Sequence, residues 1–203
     1  MATATFDIVS YDTTDHSWYS TSGMSNAYDG SDSTNYATIN DTRGSGAETW
    51  VYFEFNTSSI PSGSTINSVS CVVKLMANGN STVTPTRTVQ MFTGTTAKGS
   101  STSMPTSAGT KSFSGQTWTL AELRDARVKI YVQRGTSQTS TNYYVRFYGA
   151  TLTVDYTPPA GPSYTVKVKN NGSWVNATKV LVKSSGSWVE ASNVLAKDNG
   201  TWK

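Results

Sequence analysis

Between residues 48 and 156 apolar and polar side chains alternate with a period of two, the pattern of a half-buried β-strand. In residues 49–55 Val51, Phe53 and Phe55 fall on one face, and Trp50, Tyr52 and Glu54 on the other. In residues 127–133 the inward set is Val128, Ile130 and Val132, and segments 143–148 and 150–156 follow the same rule. Val69, Cys71, Val73 and Leu75 share a face, which makes Cys71 a buried small hydrophobe rather than a reactive thiol. Turn formers separate these runs at Ile60-Pro61-Ser62-Gly63, Asn78-Gly79-Asn80 and Arg134-Gly135-Thr136. One helix is expected, over residues 120–127, opened by the capping-box spacing of Thr119 and Glu122. Many short strands and one short helix predict an all-β, antiparallel two-sheet β-sandwich over residues 1–157.

The pattern changes at Thr157-Pro158-Pro159-Ala160-Gly161-Pro162, whose prolines favour an extended spacer, placed at residues 158–163. Residues 164–203 then repeat. Trp174, Trp188 and Trp202 stand 14 residues apart, as do Gly172, Gly186 and Gly200. Each unit has Asn-Gly or Ser-Gly between two short β-prone runs, the grammar of a β-hairpin. A unit this short cannot bury its own apolar face, so the three tryptophans are expected in an interface that anchors or oligomerises the chain.

Composition narrows the class. Charged residues are 14% and hydrophobic residues 36% of 203, which suits a turn-rich all-β chain. Residues 1–157 hold ten Lys/Arg and eleven Asp/Glu, whereas residues 158–203 hold six Lys against Glu190 and Asp198. The tail therefore carries the positive balance, an excess too small and too spread for a duplex footprint, so no nucleic-acid partner is expected. Cys71 is the single cysteine and excludes an internal disulfide. Neither a basic, apolar leader nor a membrane-spanning run is expected.

Three segments carry resemblances. Trp50-Val51-Tyr52-Phe53-Glu54-Phe55-Asn56-Thr57-Ser58-Ser59-Ile60-Pro61-Ser62-Gly63 and the closing run Tyr148–Tyr156 are similar to the jelly-roll modules called DNRLRE domains and to related carbohydrate-binding modules. That resemblance covers roughly residues 5–157 and implies a jelly-roll sandwich. Asn26-Ala27-Tyr28-Asp29-Gly30-Ser31-Asp32-Ser33-Thr34-Asn35-Tyr36 resembles a loop of discoidin-type sugar-binding jelly rolls, which implies a structural Ca²⁺ held in part by Asp29, Asp32 and Thr34. Here the final aromatic is Tyr36 rather than Trp, and an Asp-Gly turn needs no ion, so that alternative stays open. A Ser/Thr-rich jelly roll followed by Gly-x-Trp repeats resembles minor structural proteins of tailed bacteriophages. This implies a virion location, as capsid decoration, head fibre or tail accessory, with other virion proteins as partners and a homo-oligomer, a trimer being preferred.

No catalytic set emerges. His16 lies near Asp12, Asp15 and Ser17, yet no nucleophile elbow is present, and Glu54 has no facing carboxylate partner in the pattern. No phosphate loop or His/Cys metal spacing occurs, so no enzyme and no cofactor beyond the Ca²⁺ is expected. What remains is binding. Trp18, Tyr19, Tyr28 and Tyr36, outside the core face, are the candidate platform for host-surface glycans, and the same rings would equally serve to cover a sandwich edge or a subunit contact. A carbohydrate-binding module of a secreted bacterial protein is the alternative reading.

Overall fold

The alternating segments are strands in the computed structural model of the chain, which describes residues 1–12, 19–28, 35–41, 48–78, 86–133, 144–160, 167–170, 173–176, 180–184, 187–190, 197–198 and 201–202. They fall into two units, Met1–Pro159 and Ala160–Lys203. The first unit runs β1 (Ala2–Asp12), β2 (Tyr19–Ser22), a 3-10 turn (Met24–Ala27), β3 (Ala37–Asp41), β4 (Glu48–Phe55) and β5 (Thr65–Asn78). It continues with β6 (Thr86–Thr93), β7 (Thr96–Ser103), β8 (Gly109–Phe113), α1 (Leu120–Arg124), β9 (Ala126–Gln133) and β10 (Tyr144–Thr157).

Strand order defines the architecture. One sheet is β1-β10-β5-β8 and the other β4-β9-β6-β7, with every neighbouring pair antiparallel. Two four-stranded sheets in this order are a jelly roll. β1 belongs to both: residues 2–7 pair with β10 and residues 8–12 with β4, with a register shift between Ile8 and Ser10 at the hand-over. β3 extends the first sheet along residues 144–147 of β10, and β2 pairs with β3.

The inward set named by the alternation is the core. Val51, Phe53, Val128, Ile130, Val73 and Leu75 are all fully buried, and Cys71 is 1% exposed. Burial in apolar surroundings pushes the Cys71 thiol well above its ordinary range. Phe53 from one sheet stacks on Phe147 from the other, ring centroids 4.0 Å apart, and locks the layers at their centre.

Two boundaries differ from the sequence reading. The helix ends at Arg124 rather than 127, because Ala126 already pairs with Thr93 and the Val128, Ile130, Val132 run draws the chain into β9. Segments 143–148 and 150–156 are one strand, β10, whose register shifts between Phe147 and Gly149 so that both halves keep their apolar residues inward. The capping box itself is present: Thr119 Oγ1 accepts from the Glu122 amide, and Glu122 accepts from the Thr119 amide.

The turn after β4 docks on α1. Ile60 is buried, Gly63 adopts φ 80°, and Ser64 N–H donates to Pro61 O at 3.2 Å, as a type II turn requires. Thr57 Oγ1 donates to Leu123 O at 3.1 Å, and the Arg124 guanidinium donates to the carbonyls of Thr57 and Ile60.

In the second unit the described strands form three hairpins: β11 (Lys167–Asn170) with β12 (Ser173–Asn176), β13 (Leu181–Ser184) with β14 (Ser187–Glu190), and β15 (Lys197–Asp198) with β16 (Thr201–Trp202). The 14-residue period becomes a structural one. Lys169 stands opposite Trp174, Lys183 opposite Trp188 and Lys197 opposite Trp202.

Candidate functional site

The outward residues of β4 and β9 meet in register, Trp50 opposite Tyr131, Tyr52 opposite Lys129 and Glu54 opposite Arg127. Lys129 Nζ lies 4.6 Å from the Trp50 ring centroid, 5.3 Å from Phe92, 5.5 Å from Tyr131 and 5.7 Å from Tyr52. Four rings thus surround one ammonium, and the cage is filled by the protein's own cation. Arg127 Nη2 pairs with Glu54 Oε1 at 2.9 Å, and Ser10 Oγ donates to Glu54 Oε2 at 2.6 Å, so Glu54 is a paired charge. Burial, and then the hydrogen bond and charge of Glu48, push the Tyr131 hydroxyl up to about 12. This face is a packed polar-aromatic cluster rather than an open platform.

Of the glycan candidates, the side chains of Tyr28 and Tyr36 are described. Tyr28 is half-buried against the core, and burial, followed by Tyr11 and Glu54, raises its hydroxyl above the ordinary value. Tyr36 packs edge-on to Tyr148 with centroids 5.6 Å apart, and the Arg146 guanidinium lies 4.4 Å from its ring. The two tyrosines therefore have different neighbours, and both are engaged within the fold. Tyr19 lies on β2 with its side chain outside the described residues, and Trp18 lies outside them altogether. So do the Ca²⁺ candidates Asp29, Asp32 and Thr34, and His16. Among the described residues no group of three or more His, Cys, Asp or Glu is placed to hold a metal ion.

A cleft opens away from every candidate residue named from the sequence. β7 and β8 are the outer strands of their sheets, each paired on one side only among the described residues. β6 and β7 are out of step: Val89 faces Thr102 and Met91 faces Lys98, so Gly99, Ser100 and Ser101 stand opposite Gln90 alone. Gly99 at φ 78° makes this bulge possible, since positive φ strains any residue with a Cβ. Gln90 Nε2 donates to the freed Gly99 carbonyl at 2.6 Å.

The result is a cavity of about 300 Å³ between the two sheet edges. Its floor is core: Val69, Cys71 and Met91, with Phe113 and the nearly buried Trp118 as apolar wall. Ser100, Ser114 and Gln116 supply hydroxyls and an amide, whereas Ser112, also at the rim, pairs with the exposed Val72 on the outer face of β8. Lys98 is the one charged residue lining it; its Nζ is 2.5 Å from Glu122 Oε1, donates to Thr117 O at 3.1 Å, and lies 5.2 Å from the Trp118 ring centroid. The ammonium's hydrogen bond and the Thr119 amide hold the Glu122 carboxyl down at about 2. A second hollow of about 200 Å³ shares Val69, Gln116 and Trp118 as lining.

No protein-family model matches this chain, and no curated protein is similar to it. Sequence reasoning missed the cleft because its members come from β5, β6, β7, β8 and the segment before α1. The one local signal was Gly99 between Lys98 and Ser100, an isolated glycine in a strand of small residues, which marks bulges.

Proposed function

We propose that this chain is a non-enzymatic structural protein of a bacteriophage virion surface, as capsid decoration, head fibre or tail accessory. In this reading the jelly roll faces outward towards host-surface glycans, and the tryptophan hairpins join copies of the chain and attach them to other virion proteins. One observation carries it. On the β13–β14 hairpin Trp188 is 68% exposed and Leu181 49% exposed. Register and alternation put both on one face, with Glu190. A two-stranded hairpin is marginally stable alone, and large apolar side chains left in water are stabilised by a partner surface. Because the Lys–Trp pairing recurs in all three hairpins, a second copy of the chain presents a matching array.

The mass of the full chain in solution tests this. Sedimentation equilibrium is expected to give a trimer of 21.8 kDa chains. Replacing Trp174, Trp188 and Trp202 together with Ala is expected to return it to monomer. A wild-type chain monomeric at every concentration would falsify the oligomerising role. The second reading, a carbohydrate-binding module of a secreted bacterial protein, is favoured by the cleft between β7 and β8, and a monomer that binds saccharide supports it.

A further inference from the structure

We infer that the cleft between β7 and β8 binds a neutral saccharide unit, one or two sugar residues long. This rests on the reading of the jelly roll as glycan-facing and names where that contact is made and with what class of ligand.

Charge decides the first part. The ammonium of Lys98 is matched by Glu122 at 2.5 Å, and no other charged residue lines the cleft. An anionic ligand would meet no net positive charge there, and a cationic one would meet Lys98. Hydrogen-bonding character decides the second. Ser100 and Ser114 carry hydroxyls that both donate and accept, and the Gln116 amide does the same through separate atoms. Sugar hydroxyls also donate and accept, so a saccharide satisfies such groups in either sense, whereas a hydrocarbon leaves them unbonded.

The apolar lining supplies the rest. Phe113, half-buried, offers apolar surface to the C–H face of a pyranose, above Met91 and Trp118, which are 2% and 5% exposed. A volume of about 300 Å³ lies at the small end of ligand sites, which fits a short unit rather than a long chain. Protection of a sheet edge by an inward lysine and a bulge accounts for Lys98 and Gly99. It does not account for a hollow reaching the core or for its hydroxyl and amide lining.

The test is a titration of the ¹⁵N-labelled full chain with glucose, galactose, mannose, N-acetylglucosamine and their disaccharides, alongside glucuronic acid and a sulfated disaccharide. Saturable shifts are expected for a neutral sugar at the amides of Gly99, Ser100, Ser112, Ser114 and Gln116 and at the Trp118 indole N–H. Gln116→Leu and Ser114→Trp alter exposed positions lining the cleft. Each is expected to weaken binding at least tenfold while the amide spectrum of the core strands stays unchanged. Neutral-sugar binding that survives both substitutions, or shifts only distant amides, overturns the cleft and leaves glycan recognition standing. Preference for the acidic sugars overturns the ligand class. No saturable shift with any saccharide overturns both the cleft and the glycan-facing reading.

Discussion

Lys98, on the bulged edge strand β7, reaches the capping glutamate of α1, with Nζ 2.5 Å from Glu122 Oε1. One contact thereby ties a sheet edge to a helix start and neutralises the cleft, while the other carboxylate oxygen of Glu122 accepts from the Thr119 amide in the capping box. The ion pair depends on Glu122 being ionised.

Acid is therefore expected to loosen this corner. The Glu122 carboxyl is held down at about 2 in the folded chain, against an ordinary value of 4.5. A depressed folded value means that its stabilising contribution is complete above about 4.5 and is lost as pH falls from there towards 2. Asp155 adds to the same limb, lowered by hydrogen bonds from Thr3 and then Ser68. The melting temperature followed by circular dichroism is expected to fall across this window. Glu122→Gln is expected to flatten part of the decline, and an identical acid limb in that variant would show that the pair contributes nothing.

Arg124 spans the turn after β4 by donating to Thr57 O and Ile60 O. Hydrogen bonds from a charged donor contribute about 1.5–3 kcal/mol, so Arg124→Met is expected to destabilise the jelly roll by about that amount in urea unfolding. Arg124→Lys is expected to recover only part of the loss, because an ammonium lacks the planar fork that reaches two carbonyls at once. Full recovery by lysine would mean that charge alone matters at this turn.

Thr49 runs against the usual direction. Its side chain is fully buried and its Oγ1 finds no hydrogen-bond partner among the described residues. Thr49→Val keeps the shape and β-branching while removing a buried hydroxyl, so stability is expected to rise by about 1 kcal/mol. A loss of stability on that substitution would show that the hydroxyl is satisfied in solution.

Local pattern determined most of the jelly roll's interior. The side-chain period of a strand is set by its own backbone, so Val51, Phe53, Val128, Ile130 and Cys71 could be assigned inward without knowing their partners. The capping box and the turn at Pro61-Ser62-Gly63 were legible for the same reason, being interactions over three residues. So were the hairpins around Trp174, Trp188 and Trp202, where two residues separate the paired strands. What the tertiary structure decided is non-local. Tyr36 and Trp50 both read as outward aromatics, yet Tyr36 packs on Tyr148, and Trp50 joins a cage filled by Lys129. Sheet order brought β7 and β8 to facing edges, and a register shift opened the cleft between them. Those outcomes depend on which strands meet and in what register, and a period of two is silent on both because every strand carries it.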